Sequence, residues 1–182
     1  MSPVREAGAV RLRAAVPSDG AAVAHAFGAA RAAMRYLPRL HSAAEDVAFF
    51  SGQVLPTSTV TLAESGHESG HETDPETDPE TGHASGHASG HGHEIVGFSA
   101  VKDGWLDHLY VVPLWQGVGI GATLLDRAKT ENPAGLDLWV FAANHRAISF
   151  YARAGFVEVR RTDGSANEER LPDVQMRWAH SS

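Results

Sequence analysis

The sequence predicts a single mixed α/β domain, and three observations lead to this prediction. The chain has 182 residues, of which 43% are hydrophobic, so it fits one domain with a real core. Short β-branched and apolar runs alternate as strands do. Amphipathic segments between several of these runs carry helix caps and stop signals.

The first half of the chain supplies the pattern β-α-α-β. "AVRLRAAV" (9–16) alternates and is predicted as a strand, followed by a helix that Ser18 or Asp19 caps. A second helix is predicted from Ser42, which stands at capping-box spacing from Glu45. Further strands are predicted at 58–64, 94–104, 104–113, 136–142, 156–161 and 174–180.

Two helices interrupt the strands of the second half. "GIGATLLDRAKTEN" places Leu124, Leu125 and Ala128 on one face. "NHRAISFYARAGF" begins at Asn144 and stops at Gly155. The predicted order of the whole chain is therefore β-α-α-β-β-β-α-β-α-β-β, a mixed α/β arrangement.

One segment, residues 65–94, has a composition unlike the rest. It is built from short repeats and contains no large apolar residue, so we expect a disordered insertion within a domain spanning 1–182. The strands on either side predict that the insertion is the overgrown loop of an antiparallel hairpin, which costs little because closure entropy grows slowly with length. An alternative is that its six histidines bind a divalent metal; these are His67, His71, His83, His87, His91 and His93.

The charge and composition exclude several function classes. The net charge is −7, but the 65–94 segment holds seven of the 22 acids, so the remaining 15 balance the 15 Lys and Arg residues. No basic block predicts nucleic-acid binding, and no apolar run of eighteen residues predicts a membrane span. The chain has no cysteine, and we expect a cytoplasmic protein without disulfides.

The stretch "YVVPLWQGVGIGATLLDRAK" (110–129) carries the strongest functional signal. Gly117, Gly119 and Gly121 alternate just before a predicted helix. Glycines there allow a ligand to approach the backbone, and a helix N-terminus offers free N–H groups, so a phosphate site is indicated. The spacing fits neither a lysine-bearing P-loop nor the G-x-G-x-x-G dinucleotide fingerprint.

These motifs together resemble the GCN5-related N-acetyltransferase (GNAT) superfamily. Gln116 opens a Q-x-x-G-x-G loop after a strand and a proline, and Asn144 precedes Tyr151 by seven residues on a helix that ends in Gly-Phe. The resemblance implies the GNAT-type fold, a single mixed, mostly antiparallel sheet of about six to seven strands flanked by about four helices. It also implies acetyl-CoA as co-substrate.

The resemblance further implies which residues hold the cofactor. Backbone groups of the strand before the loop would pair with the pantetheine arm, the loop amides would take the pyrophosphate, and Asn144 would hydrogen-bond the arm. The residues implied are Leu109, Tyr110, Val111, Gln116, Gly117, Val118, Gly119, Ile120, Gly121, Ala122 and Asn144.

The expected reaction is direct attack of an amine on the acetyl thioester. Tyr151 matches the family position that protonates the leaving thiolate. The base is open: where some relatives place Glu in the strand before the Asn helix, this chain has Trp139. Asp107, His108 and Glu64 are the alternatives, and strand alternation predicts that at most one of Asp107 and His108 faces the cleft.

The acceptor site is predicted between the first two helices. Tyr36 and His41, with Leu37, Pro38 and Phe49, form an aromatic and apolar cluster typical of small-molecule pockets. The acceptor itself, a small molecule or a protein amine, is open, and a homodimer is possible. The alternatives to catalysis are a non-catalytic acyl-CoA-binding domain and the metal-binding tract.

Overall fold

A computed structural model describes residues 10–66 and 93–179 of the chain. These residues form one seven-stranded sheet in the order β1-β2-β3-β4-β5-β7-β6. The strands are β1 Val10–Ala14, β2 Thr59–Ser65, β3 Glu94–Lys102, β4 Trp105–Val111, β5 Leu136–Phe141, β6 Val157–Thr162 and β7 Asp173–Trp178. The helices are α1 Gly20–Ala32, α2 Ala43–Phe49, α3 Leu55–Thr57, α4 Ile120–Glu131 and α5 His145–Arg153.

The predicted fold class and element order are confirmed. A π-helical turn, Phe50–Val54, joins α2 to the single turn of α3, so the five helical segments correspond to the four predicted helices. The predicted capping box is present, because the Ser42 hydroxyl accepts a hydrogen bond from the Glu45 amide and the Glu45 carboxylate accepts one from the Ser42 amide. Asp19 precedes α1 but its side chain accepts from Val16 N instead of capping the helix.

The predicted insertion is slightly too long at both ends. Ser65 pairs with Glu94 in the antiparallel β2–β3 ladder, so both belong to strands. His93 also lies among the described residues, with its Nδ1 3.4 Å from the Ser65 carbonyl oxygen. The predicted disorder of the tract and its other five histidines lie outside the described residues.

The sheet has helices on both faces, which we name by their helices. On the α1–α2 face, Val23 and Phe50 pack against strand residues that include Leu62 and Phe98. On the α4–α5 face, Leu125 of α4 and Tyr151 of α5 share a core with residues of β4, β5 and β7. Each face therefore has its own apolar core, and the sheet separates them.

The sheet is weakest where β4 meets β5. These strands run parallel and share one registered pair, Trp105 with Asp137, at their N-terminal ends. All other pairs in the described sheet are antiparallel ladders of five or more residue pairs. The carboxyl-terminal ends of β4 and β5 therefore separate, which leaves a gap in the sheet between these two strands.

Candidate active site

The loop before α4 has three glycines, and its backbone conformation requires glycine at two of these positions. Gly117 and Gly119 have φ angles of +86° and +94°, in the left-handed region that favours glycine. A Cβ atom at either position would meet nothing within 4 Å, so the space beside the loop is open. Gly121 lies in the first turn of α4, where a Cβ would be 3.8 Å from Phe150 and from Val111. Two of the three glycines are therefore needed for their backbone angles, and the loop leaves room for a ligand.

Gln116 and Arg146 support the loop from the side. The Gln116 Nε2 donates to the Val111 carbonyl oxygen at 2.9 Å, which ties the loop to the end of β4. Its Oε1 accepts from Arg146 Nη1 at 3.1 Å, which places a guanidinium beside the loop. Arg146 has no role in the sequence-based site, because its approach to Gln116 arises only when α5 packs beside the loop.

Asn144 and Tyr151 occupy opposite ends of α5. Asn144 is the N-cap, with Oδ1 accepting from Ala147 N at 3.1 Å. Tyr151 is 9% exposed, and its ring contacts Phe150 and Phe156 at centroid distances of 5.1 and 5.5 Å. Burial, with a smaller effect of nearby Tyr110, raises the pKa of the Tyr151 phenol above its usual value. The hydroxyl therefore stays protonated at neutral pH and can act as a proton donor.

Leu109, Tyr110 and Val111 border the gap at the end of β4. Leu109 and Val111 contact the α4 side of the sheet, whereas Tyr110 contacts the α1–α2 side. The described part of β5 pairs with β4 at Trp105 but at none of these three residues. Their backbone on that side is therefore available to an extended ligand.

A cavity of about 750 Å³ lies on the α1–α2 face. Its wall combines aromatic rings with charged side chains from α1, α2, β4, β5 and the β6–β7 loop. The ring-bearing residues of the wall are Phe27, Phe49, Tyr110, Trp139, Phe141, His41 and His108. A volume and lining of this kind are typical of small-molecule sites.

Asp107 and His108 both line this cavity, which contradicts the prediction that at most one of them faces the cleft. The reason is a β-bulge: Ala100 pairs with His108 and Val101 with Leu106, so Asp107 is an extra residue in β4. At a bulge the strict alternation of side chains is lost, and two neighbours can face one side.

His108 is held in a ring of aromatic side chains. Its imidazole centroid lies 5.3 Å from that of Phe50 and 6.1 Å from those of Phe27 and Tyr110. Burial, helped by the positive charge of Arg31, lowers the pKa of His108 to about 4. The Nδ1 atom is buried without a hydrogen-bond partner among the described residues. His108 is therefore neutral at pH 7.

Asp107 is exposed to the cavity and has a different environment. Partial burial raises the pKa of its carboxyl above the usual value, although Lys102 opposes this effect. No ion pair among residues 10–66 and 93–179 includes Asp107. Glu64, the third possible base, is 7% exposed and accepts from Arg13 Nε at 2.7 Å, so the structure places it in an ion pair outside the cavity.

The two predicted acceptor residues have different positions. His41 lines the cavity, and its Nε2 lies 2.9 Å from Glu168 Oε1; hydrogen bonding to that carboxylate raises the pKa of His41. Tyr36 is not part of the wall: its ring packs against Phe141 at 6.2 Å. Burial raises the pKa of Tyr36, and the neighbouring Asn144 side chain partly offsets that rise. Tyr36 thus lies between the cavity and Asn144.

Sequence analysis missed three charged residues of the cavity. Arg31 of α1 pairs with Glu169 at 2.9 Å, and Glu168 pairs with His41. Both glutamates belong to the loop between β6 and β7, whose turn residues predicted a connection and nothing more. A run of charges in a surface loop carries no local sign of what it will face in the folded protein.

Two kinds of feature are absent from the described residues. Residues 10–66 and 93–179 contain no cluster of three or more His, Cys, Asp or Glu side chains that could hold a metal ion. Over the same ranges, every helix is too short or too polar to span a lipid bilayer.

Comparison with known proteins identifies relatives for most of the second half of the chain. A family model for the acetyltransferase (GNAT) domain matches residues 71–180. An uncharacterized N-acetyltransferase from Archaeoglobus fulgidus is 34% identical over 92 residues, which cover 41% of this chain and 60% of that protein. The chain thus spans less than two thirds of the length of this curated relative.

Solved structures match nearly the whole chain. A GCN5-related N-acetyltransferase from Rhodopseudomonas palustris has a TM-score of 0.64 at 23% identity, covering 98% of this chain and 100% of its own. A putative acetyltransferase from Salmonella typhimurium, solved with its cofactor acetyl-CoA, has a TM-score of 0.59 at 16% identity, covering 96% and 98%. At these identities the likeness establishes a shared fold.

Proposed function

The chain belongs to the GNAT acetyltransferase family, and from this premise we propose that it transfers the acetyl group of acetyl-CoA to the nitrogen of an amine. The observation that carries the proposal is the loop before α4. Gly117 and Gly119 hold left-handed backbone angles with open space beside them, at the N-terminus of a twelve-residue helix. Such a loop suits a phosphate group.

The residues around the loop fit coenzyme A. The N–H groups of residues 117–122 would hold the pyrophosphate, with the Arg146 guanidinium nearby to balance its charge. The unpaired side of β4 at 109–111 would hold the pantetheine arm, and the Asn144 side chain would bond the same arm. When bound, acetyl-CoA supplies an acetyl group activated as a thioester.

The gap between β4 and β5 connects this site to the cavity on the other face. An amine in the cavity would lie beside the parting strands, at the point where Leu109–Val111 would hold the arm. Holding both reactants at one gap converts a bimolecular reaction into an effectively unimolecular one, which can lower the barrier by up to about 7–11 kcal/mol.

Two protons must move during the transfer, and different residues would handle them. The Asp107 carboxylate would take the proton that the attacking nitrogen loses. The Tyr151 hydroxyl would donate the proton that the departing sulfur gains, since burial keeps the phenol protonated. His108, with a pKa of about 4, would act as a neutral part of the wall at pH 7.

A panel of amines with acetyl-CoA tests the proposal. We expect CoA to be released only when a suitable amine is present, and mass spectrometry to find the acetylated amine in equal amount. If acetyl-CoA binds in isothermal titration but none of the amines raises CoA release, the protein is a non-catalytic acyl-CoA-binding domain. The cytoplasmic location and the homodimer stay predictions.

A further inference from the structure

Four of the nine charged side chains that line the acceptor cavity form two ion pairs. Arg31 pairs with Glu169 and His41 with Glu168, both at 2.9 Å. The remaining charged residues of the wall are Arg35, Arg39, Glu45, Asp46 and Asp107. With His41 protonated, both ion pairs are neutral. The other five residues carry two positive and three negative charges, so the wall has a net charge of −1.

Asp107 is the residue best placed to present that charge. It projects into the cavity from the β4 bulge, and none of the ion pairs in the described part of the chain includes it. Glu45 and Asp46, in contrast, lie in the first turn of α2, where the helix N-terminus attracts carboxylates, and Glu45 also accepts from the Ser42 amide and hydroxyl. A single carboxylate facing an aromatic wall suits one ammonium group, which both the charge and the ring faces attract.

The rest of the wall near Asp107 is apolar. Phe27, Phe49, Tyr110 and Trp139 bring ring surfaces to the cavity. The rings of Phe27, Phe49 and Tyr110 pack around His108, which stays neutral and so adds no charge. A flat apolar body would replace water on these surfaces, whereas a polar chain would gain little there.

The two ion pairs also limit the size of the acceptor. Each joins the α1–α2 region to the β6–β7 loop, the first from α1 and the second from the residues just before α2. Both pairs belong to the wall of the cavity, so they tie its two sides together. A polypeptide passing between these sides would have to break them.

We propose that the acceptor is a small primary amine with one positive charge and an apolar, ring-sized body, as in the arylalkylamines. The proposal rests on the acetyl transfer proposed above and adds the class of the substrate. The ammonium binds at Asp107 and gives this carboxylate one proton, so that the neutral nitrogen can attack the thioester. The second proton that the nitrogen loses balances the one that the departing sulfur takes from Tyr151. The body lies against the aromatic wall, and the two ion pairs keep longer acceptors out.

The test compares four acceptors with the full-length protein and acetyl-CoA: 2-phenylethylamine, L-phenylalanine, spermidine and a tetrapeptide with N-terminal alanine. We expect kcat/KM for 2-phenylethylamine to exceed each of the others by about tenfold or more, since an uncompensated charge costs on the order of 1.4 kcal/mol or more. L-Phenylalanine is the matched control, because it keeps the ring and adds a carboxylate.

The possible results separate this inference from the proposed function. Spermidine or the tetrapeptide reacting as well as 2-phenylethylamine would overturn the substrate class and leave acetyl transfer intact. If none of the four amines causes release of CoA, both the substrate class and the proposed acetyl transfer are overturned.

Two variants sharpen the test. In Asp107→Asn, the ratio of kcat/KM for 2-phenylethylamine to kcat/KM for L-phenylalanine should fall from about tenfold to about onefold. A general loss of kcat lowers both values equally and leaves this ratio unchanged. The double variant Glu168→Gln, Glu169→Gln should raise kcat/KM for the tetrapeptide several-fold relative to that for 2-phenylethylamine. The control Glu131→Gln, which breaks an exposed pair with Arg127 far from the cavity, should leave this ratio unchanged. An unchanged charge preference in Asp107→Asn would contradict the inference.

Discussion

The two faces of the sheet bring different kinds of chemical group to the gap between β4 and β5. On the α4–α5 face the groups are mainly main-chain N–H groups and a buried phenol, with the Arg146 guanidinium beside the loop. On the α1–α2 face they are side chains, several of them charged, around an aromatic wall. The first face should be sensitive to changes of backbone angle, and the second to changes of charge. The predictions below test this difference, from the largest expected effect to the smallest.

Gly119→Asp should have the largest effect. The new side chain would strain a residue at φ +94° and put a negative charge where the pyrophosphate is proposed to bind. We expect acetyl-CoA affinity to fall by about 10³-fold or more, which corresponds to about 4 kcal/mol. Isothermal titration measures this affinity.

Gly104→Asp is the matched control for that substitution. Gly104 has a φ of +78° with nothing within 4 Å of its would-be Cβ, but it lies in the β3–β4 turn away from the loop. Both variants carry the same backbone strain, so Gly104→Asp should lose stability while keeping its affinity for acetyl-CoA. Equal loss of affinity in the two variants would mean that strain, and not the phosphate site, explains the result.

His108 should make the protein sensitive to acid through the α1–α2 face. Its pKa is about 4 in the folded protein against an ordinary value of 6.5, so below pH 6.5 the unfolded chain binds more protons than the folded one. The free energy of unfolding should therefore fall as the pH drops from 6.5 to 4, by about 3 kcal/mol. Urea unfolding at several pH values measures the change.

His108→Phe should remove this part of the pH dependence and leave stability at pH 7 about the same, because the surroundings are aromatic. A wild-type slope in His108→Phe would show that other groups cause the acid sensitivity.

Tyr151→Phe tests the proposed proton donor of the α4–α5 face. Loss of the proposed proton donor should lower kcat by about 10²-fold, or about 2.7 kcal/mol. The Kd for acetyl-CoA and the melting temperature should change little, since the ring remains packed against Phe150 and Phe156. A normal kcat would rule out the donor role.

Replacing residues 67–92 by a four-residue Gly-Ser linker should have the smallest effect. The β2–β3 ladder extends to the pair Ser65–Glu94, so a short turn can close the hairpin. The shorter loop should raise the free energy of unfolding by about 1 to 2 kcal/mol and leave kcat unchanged. A lower melting temperature would show that the replaced segment contributes to the fold.

Much of the α4–α5 face could be predicted from short stretches of sequence. The glycine spacing of the loop, Asn144 as the N-cap and Gly155 as the left-handed stop were all expected, and the structure has them. These features depend on residues a few positions apart, which local pattern reveals. Arg146 was the exception, because it meets Gln116 from thirty positions away.

The α1–α2 face could be predicted only in outline. His41, Leu37 and Phe49, which the sequence grouped together, line the cavity. Arg31 and Glu169 were missed, because they meet from positions 138 residues apart. The bulge at Asp107 was also missed, because strand alternation predicts a regular pleat and a bulge depends on how β3 pairs with β4.

The sequence by itself determined the order of the elements, the caps and the phosphate-type loop, because each depends on backbone preferences and on apolar spacing within one segment. The tertiary structure alone decided where β4 and β5 part, that Asp107 and His108 share one cavity, and which charges remain unpaired. The physical reason is that these features depend on register, burial and ion pairing between distant segments, and those interactions exist only once the chain has folded.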